Sequence, residues 1–197
     1  MPLILVLGRK AAAKNYAMTL TARRRLDAEG VAARVVMIGP DDDGVPVDED
    51  GVVYLGLQSR AIVRGALRAA HVLVNMSASE SFGIVLLEAW LAGTPVVANR
   101  RCIAFTDLVD DGVNGFLADD STEVAERIAA LLTNPALGIA MAARGREVAM
   151  GYAWSLLGDE LETLCTQLAD EAMAGTTRTA RATPDLGTER SPSSSGR

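Results

Sequence analysis

Apolar and polar positions alternate along residues 1 to 173 in two different ways. Short, almost wholly apolar runs of three to five residues have the length and composition of buried strands. The longer stretches between them repeat their apolar residues at the spacing of a helix. Strands are predicted at residues 3–7, 35–38, 52–55, 72–75, 96–98 and 115–118, and helices at 14–29, 59–70, 84–92, 122–132, 135–150 and 155–173.

The order of these elements predicts an α/β fold. A strand that is followed by a helix and then by another strand forms a right-handed crossover, which places helices on both faces of a parallel sheet. We therefore expect a doubly wound parallel sheet of about six strands, Rossmann-like in topology. In the commonest strand order, three-two-one-four-five-six, a ligand crevice opens between the carboxyl ends of strands one and four.

Composition indicates one folded domain and a tail. Of the 197 residues 49% are hydrophobic and the mean hydropathy is +0.19, so the chain is long and apolar enough for one substantial core. From residue 174 onward, Gly, Thr, Arg, Pro and Ser replace the apolar residues. We expect residues 1–173 to form a single domain and residues 174–197 to be a disordered tail.

Charge and cysteine content exclude several functions. The 25 acidic and 19 basic residues give a net charge of −6, and no basic stripe suits nucleic acid as a partner. The two cysteines are isolated and there is one histidine, which disfavours structural zinc and favours a reducing compartment. Residues 1–8 lack a basic leader, and no apolar run approaches about 18 residues. These features predict a cytoplasmic location and no membrane span.

An acidic stretch between the second and third strands suggests a metal site at first sight. Residues 41–50 contain six carboxylates, but Gly and Pro are interspersed among them and no further ligands lie nearby in the sequence. We interpret this stretch as a solvated acidic loop.

Two loops are expected to meet at the crevice. The loop after strand one carries Gly8, Arg9 and Lys14, and the loop after strand four leads through Gly83 into a helix. Taken alone, Arg9 and Lys14 would be the solvated start of a helix. Opposite the free N–H groups of a helix N-terminus, however, a guanidinium fork and an ammonium favour a diphosphate. No Gly-x-Gly-x-x-Gly follows strand one and no P-loop motif occurs, which disfavours dinucleotide cofactors and P-loop chemistry.

One glutamate precedes the start of this helix and a second lies within it. Glu88 is the only charged residue of the apolar stretch 84–92, where an unpaired buried carboxylate would cost several kcal/mol. A ribose diol would satisfy it, and the alternative is a helix-edge glutamate in water. Ser77 and Glu80 match a capping box, which would give Glu80 a purely structural role. If the helix instead begins after Gly83, Glu80 projects towards the crevice and can hold a sugar hydroxyl, which is the interpretation that its position favours.

These residues resemble the donor-binding half of retaining GT-B glycosyltransferases of group 1, the glycogen-synthase-like and sucrose-synthase-like superfamily. The family pattern Ser-x-x-Glu-Gly-Phe-Gly-x-x-x-x-Glu-Ala corresponds to residues 77–89, and Gly-x-Pro-Val-Val corresponds to residues 93–97. The early Gly-Arg with a lysine six positions past the glycine is Gly8, Arg9 and Lys14. An acidic-Gly-x-x-Gly stretch occurs at residues 111–115. The resemblance covers residues 3 to 165.

The resemblance implies a role for each matching position. Arg9 and Lys14 would contact the diphosphate and Glu80 the donor-sugar hydroxyls, and these three are the implied catalytic residues. The implied donor-binding positions are Gly8, Gly56, Leu57, Ser81, Phe82, Gly83, Ile84, Val85 and Glu88. Within this set Glu88 would bind the ribose, Gly56 and Leu57 would lie beside the nucleobase, and backbone N–H groups at residues 83–85 would hold the phosphates. The resemblance implies no bound metal, since members of the family generally work without one, and no other cofactor; the nucleotide-diphosphate sugar is the donor substrate.

Two local departures from the family pattern affect the site. Ser81 replaces a glycine, which is tolerable if its φ is negative. Residues 100–107 replace a segment that usually carries glycine and Pro-Glu, which bears on sugar selectivity.

The chain also starts at the first strand of the second of the family's two domains. It therefore resembles a hexosyltransferase-type donor domain that is inactive without an acceptor-binding domain or chain. Membrane association would arise only through that partner or a lipid acceptor. The alternatives are a non-catalytic nucleotide-sugar binding or interaction module and, less favoured, an epimerase of similar architecture.

Overall fold

A computed structural model describes the backbone of residues 1–180, and the side chains of that range except at 154–157 and 174–180. The chain divides into two compact units. The first is Met1–Tyr152, and it contains the whole sheet. The second begins at Ala153 and contains, within the described residues, one helix.

The first unit is built on a parallel sheet of six strands in the order β3-β2-β1-β4-β5-β6. The strands are β1 Leu3–Leu7, β2 Arg34–Ile38, β3 Val52–Tyr54, β4 Val72–Asn75, β5 Val96–Asn99 and β6 Phe116–Ala118. This confirms the predicted α/β class, the strand order and all six strands to within one residue at either end. The order reverses between β1 and β4, so the carboxyl ends of these two strands flank a crevice.

Three of the six helices of the first unit begin at a residue whose side chain caps the helix. Ser59, Asp120 and Asn134 each accept a hydrogen bond from a backbone N–H in the first turn of the helix that follows. The helices are α1 Tyr16–Ala28, α2 Arg60–Ala69, α3 Ile84–Ala92, α4 Ile103–Thr106, α5 Ser121–Thr133 and α6 Pro135–Met150, with a 3₁₀ turn at Ala12–Lys14. The short α4 and the 3₁₀ turn were not predicted, because elements of three or four residues are too short to show a period.

The second unit contains α7, Trp154–Ala180. This helix extends seven residues past the predicted boundary at residue 173. The helix continues past residue 173 because the sequence contains no proline between Trp154 and Pro184. The remainder of the predicted tail, residues 181–197, lies outside the described residues.

Two apolar layers cover the two faces of the sheet. Side chains alternate along each strand, so that Ile4 packs in one layer and Leu5 in the other. Residues of α1 and α5 complete the first layer, and residues of α2, α3 and α4 complete the second. Both faces of the sheet are therefore covered, which explains why the strand interiors are apolar.

Over the described residues, no single helix has the length and apolar character needed to cross a membrane. The pair α5 and α6 meets the length and composition criteria only when taken together, and it bends by 104° at the junction.

Candidate functional site

A cavity of about 420 Å³ lies at the carboxyl ends of β1 and β4. Nine of the twelve predicted site residues line it: Gly8, Arg9, Lys14, Leu57, Glu80, Gly83, Ile84, Val85 and Glu88. The structure thus brings together the loop after β1 and the loop before α3. Gly56, Ser81 and Phe82 are not part of the lining.

Three glycines bring the ends of the first three strands close together. The N–H of Gly8 donates to the carbonyl of Ile38, and the N–H of Gly39 donates to the carbonyl of Gly56. A Cβ on Gly39, where φ is +151°, would lie 1.8 Å from the carbonyl oxygen of Gly8. Only glycine fits at this crossing. Gly56 therefore supports the loop beside the cavity through its backbone.

Seven lining residues were not predicted, namely Leu7, Ile38, Gly39, Pro40, Gln58, Val63 and Asn75. Gly39 was recognisable in principle, because it follows β2 directly just as Gly8 follows β1. Asn75 is 7% exposed and ends β4. Its side-chain oxygen accepts a hydrogen bond from the N–H of Ser77 at 3.0 Å, which turns the chain out of the strand.

The start of α3 excludes the capping-box interpretation of Glu80. Gly83 has φ +84° and forms the N-cap, so the helix begins after Gly83 and not at Ser77. The Ser77 hydroxyl donates to the carbonyl of Ser79 at 3.0 Å, so the capping-box alternative is wrong. Glu80 lies in the loop and lines the cavity. The first free N–H groups of α3 belong to residues that line the same cavity.

Gly83 is required by its surroundings as well as by its φ. A Cβ there would lie 3.2 Å from Phe105 and from Leu108. Ser81 does not share the left-handed conformation, because Asn15 is the single non-glycine residue with positive φ in the described chain. The replacement of the family glycine by serine is therefore tolerated. The ring of Phe82 packs edge-to-face on Tyr152, with centroids 5.1 Å apart.

Each of the two predicted cations is paired with a carboxylate. Lys14 Nζ is 2.6 Å from Glu80 Oε1, and both side chains are largely buried. Arg9 donates from Nη1 to Asp42 Oδ2 at 3.1 Å, with 65% of the Arg9 side chain exposed. Arg9 lines the cavity, and its guanidinium has further N–H donors besides the one that contacts Asp42.

Glu88 is exposed, so the premise that it is a buried carboxylate is wrong. It lies on the side of α3 that faces solvent, while Leu86, Leu87, Ala89 and Trp90 are buried. One side of this nine-residue helix faces solvent even though eight of its residues are apolar. Glu88 nevertheless lines the cavity, and it also lines a second cavity of about 570 Å³ between α2 and α3.

The interpretation of residues 41–43 as a solvated loop is wrong for Asp43, whose side chain is 16% exposed, whereas Asp41 and Asp42 are exposed. Lys10 is 2% exposed, and its ammonium contacts Asp41 at 2.7 Å and also Asp43. Burial alone would lower the pKa of Lys10, but the hydrogen bonds to Asp41 and Asp43 outweigh it and raise that pKa. The hydrogen bond from Lys10 lowers the pKa of Asp43 to about 2. In the part of the chain that the structure describes, no three His, Cys, Asp or Glu residues are grouped to hold a metal ion.

The segment that departs from the resemblance at residues 100–107 is fixed by ion pairs. Arg100 contacts Asp111 at 3.0 Å and Asp119 at 3.1 Å, and it also donates to the carbonyl of Leu117. Its hydrogen bond with Asp111 raises the pKa of Arg100. Arg100 therefore joins the end of β5 to the segment around β6.

The sheet, its reversal point and the glycine-bordered cavity define a Rossmann-like domain with a ligand-sized cavity where the strand order reverses. The family model of the glycosyl transferases of group 1 matches residues 1–134. The chain belongs to this family.

Individual proteins support the assignment. The chain is 39% identical over 120 residues to a phosphatidyl-myo-inositol mannosyltransferase of Mycobacterium leprae, a match that covers 57% of this chain and 32% of that protein. The fold of this chain is similar to that of sucrose-phosphate synthase from Thermosynechococcus elongatus, with TM-score 0.75 and 23% identity. The match covers 86% of this chain and 46% of the synthase. Anabaena HepE in complex with UDP and glucose gives TM-score 0.69, 22% identity and coverage of 83% and 48%. The chain thus spans less than half the length of each of these proteins.

Proposed function

We propose that this chain is the donor-binding domain of a retaining glycosyltransferase. In this proposal it binds a nucleotide-diphosphate sugar, and an acceptor-binding domain or chain supplies the acceptor. The observation that carries the proposal is the single cavity lined by Arg9, Lys14, Glu80, Glu88 and the N-terminus of α3. The HepE complex with UDP and glucose supports the choice of a nucleotide sugar as ligand.

In the proposed reaction, negative charge develops on the departing diphosphate. The bond between the sugar C1 and the diphosphate oxygen breaks, and its electron pair leaves with the diphosphate. The acceptor hydroxyl oxygen bonds to C1 on the same face and passes its proton to the departing diphosphate. Arg9, Lys14 and the positive end of α3 stabilise the growing negative charge on the leaving group. We propose that these groups provide that stabilisation without a metal ion.

Arg9 and Lys14 would change partners when the donor binds. Arg9 is paired with Asp42 on the surface, and such a contact contributes little, so a diphosphate can replace it. Lys14 is held at 2.6 Å by Glu80, which directs its ammonium into the cavity. In this position Glu80 can accept hydrogen bonds from sugar hydroxyls while it orients Lys14.

Binding is tested by calorimetry on the full chain with UDP, GDP and ADP and with the corresponding nucleosides. Arg9→Ala is expected to weaken the binding of the preferred diphosphate by about tenfold to a hundredfold, because a charge-assisted contact is worth about 1.5 to 3 kcal/mol. Nucleoside affinity should stay the same. Arg24→Ala is the matched control, since Arg24 also pairs with one carboxylate, at 3.2 Å, but does not line the cavity. Equal diphosphate affinity in wild type and Arg9→Ala would contradict the proposal.

Transfer is tested by adding the candidate acceptor-binding half and following sugar incorporation from the preferred donor. Retention is read from the anomeric proton coupling of the product by NMR. Donor binding without transfer in the presence of that half would favour the non-catalytic binding module.

A further inference from the structure

Lys10 is a buried lysine beside the candidate site. Its side chain is 1% exposed, and its Nζ lies over two aromatic rings, 5.8 Å from the centroid of Tyr16 and 5.6 Å from that of Tyr54. Its ammonium donates to Asp41 and Asp43 and, at 2.7 Å, to the carbonyl of Val45. These contacts use all three of its donors, so Lys10 has none left for a ligand.

The backbone of Lys10 is fixed to the same segment as its side chain. Its N–H donates to the carbonyl of Pro40 at 2.8 Å, and its carbonyl accepts from the N–H of Asp42 at 3.0 Å. These two bonds continue the pairing of β1 with β2 beyond the ends of both strands. The loop after β1 therefore leaves the sheet in an extended conformation that is tied to the loop after β2.

Extended backbone sends neighbouring side chains to opposite sides. Lys10 points into the buried cluster, and Arg9 points away from it and lines the cavity. The acidic run alternates in the same way, because Asp41 and Asp43 contact Lys10 whereas Asp42 contacts Arg9. Burial of Lys10 thus determines the side on which Arg9 lies.

The cluster also fixes the far end of the loop. The hydroxyl of Tyr16, the first residue of α1, donates to Asp43 Oδ2 at 2.8 Å. Asp43 therefore holds Lys10 before the 3₁₀ turn and Tyr16 after it. Lys14 lies between these two anchors, at the end of the 3₁₀ turn.

We propose that Lys10 is a positioning residue, which clamps the loop of residues 9–16 onto the acidic loop and so directs Arg9 and Lys14 into the cavity. This inference rests on the proposed function, because it assigns the two cations to a donor diphosphate. In this clamp, Asp41 and Asp43 are the partners that hold the ammonium of Lys10. Lys10 itself does not touch the donor.

Removal of Lys10 separates the two halves of the clamp. In Lys10→Met the two carboxylates face each other without a cation, and their repulsion opens the segment. Arg9 and Lys14 then sample many positions, and the preorganisation that favours a diphosphate is lost. The remainder of the cavity, including Glu88 and Leu57, stays as it is.

The experiment compares Lys10→Met with Arg23→Met in the full chain. Arg23 is the matched control because it is likewise buried, at 8% exposure, and paired with two carboxylates, Asp27 and Glu49. It lies on α1 and does not line the cavity. Both variants are expected to lose stability, so stability alone does not distinguish them.

Two readouts do distinguish them. Amide hydrogen exchange of residues 10–16, without ligand, is expected to accelerate in Lys10→Met relative to the strands and to stay at the wild-type rate in Arg23→Met. Calorimetry with UDP, GDP, ADP and their nucleosides is expected to show at least a tenfold loss of diphosphate affinity in Lys10→Met with nucleoside affinity retained. If Lys10→Met does not fold, Asp43→Asn replaces it and should give smaller changes in the same direction.

Each result decides a separate point. Wild-type exchange of residues 10–16 in the variant overturns the clamp, and an equal loss of nucleoside and diphosphate affinity overturns the positioning role. A wild-type chain that binds none of the diphosphates contradicts the proposed function instead, and the exchange comparison then still decides whether Lys10 fixes the loop.

Discussion

Glu88 is one of three residues, with Gln58 and Val63, that line both the candidate donor cavity and a second cavity. The second cavity, between α2 and α3, contains three arginines at successive turns of α2, namely Arg60, Arg64 and Arg68. Glu88 is the single carboxylate in the lining of that cavity. It is exposed, so it requires no protein partner and remains hydrated until a ligand replaces the water. This position suits a group that accepts hydrogen bonds from ribose hydroxyls.

Glu88→Ala is expected to weaken the binding of the preferred nucleoside diphosphate about tenfold to a hundredfold, because a hydrogen bond to a charged group is worth about 1.5 to 3 kcal/mol. Pyrophosphate, which has no ribose, should bind wild type and variant equally. Calorimetry with both ligands measures the difference. Glu147→Ala, at an exposed position of α6 that does not line the cavity, is the control. Equal affinities of wild type and Glu88→Ala for the nucleoside diphosphate would refute a ribose contact.

The ionisation of Asp43 makes the free energy of unfolding depend on pH in the acidic range. Its pKa is about 2 in the folded chain, compared with 3.8 as the ordinary value. Between these values the unfolded chain binds more protons, so stability falls as the pH falls from about 4 to about 2. Asp43→Asn is expected to reduce that slope. Urea unfolding at several pH values measures it, and identical slopes for variant and wild type would show that the contact with Lys10 contributes nothing to folding.

Close packing of α3 on α6 depends on a glycine in α6. A Cβ on Gly145 would lie 2.3 Å from the ring of Trp90, which is fully buried in α3. Arg146, the next residue, donates to the carbonyl of Leu91 near the end of α3 at 3.1 Å. The glycine thus permits contact, and the arginine places a positive charge at the negative end of the helix. Because α3 starts at the cavity, this packing also supports the candidate site.

Gly145→Ala is expected to destabilise the domain by about 1 to 3 kcal/mol, although alanine is the better helix former, because the methyl group overpacks against Trp90. Gly65→Ala is the matched control: Gly65 lies inside α2 and has open space around it. That substitution should stabilise by about 0.5 to 1 kcal/mol. Urea unfolding of both variants gives the comparison. The same sign of change in the two variants would contradict the packing argument.

Elements whose sequence shows a clear period were predictable, and features that depend on contacts were not. The range 84–92 of α3 follows from its apolar run and from Gly83, and the structure has the same bounds. The exposure of Glu88 was predicted wrongly, because the composition of a helix does not reveal which side faces water. The burial of Lys10 was not foreseen either. A lysine beside Arg9 in a polar loop is ordinarily solvated, and its partners come from residues more than 30 positions away.

The position of the candidate site follows from the strand order of the sheet. The reversal of strand order between β1 and β4 brings together residues 8–14 and residues 80–88, which no local pattern connects. The sequence predicted that meeting, because alternating strands and helices leave few allowed strand orders. It did not reveal Gly39, whose role depends on the approach of Gly8 across the sheet.

Among the described residues, both clusters of buried apolar side chains lie in the first unit. Both core layers consist of residues between Ile4 and Ala149, on the two faces of the one sheet. In α7, by contrast, Leu161, Leu164 and Leu168 are each more than half exposed. A domain that contains its own core folds alone. We therefore expect a truncated chain of residues 1–152 to fold as the first unit.

The truncated chain is expected to unfold cooperatively, with a Tm within about 4 °C of that of the full chain, since about 1 kcal/mol shifts the Tm of a domain this size by about 2 to 4 °C. It should also bind the preferred nucleoside diphosphate with the affinity of the full chain, because every cavity residue lies before residue 89. Calorimetric melting and titration test both statements. A truncated chain that is unfolded would show that the stability of the sheet domain requires residues after 152. One that is folded but has weaker affinity would show that those residues contribute to the site.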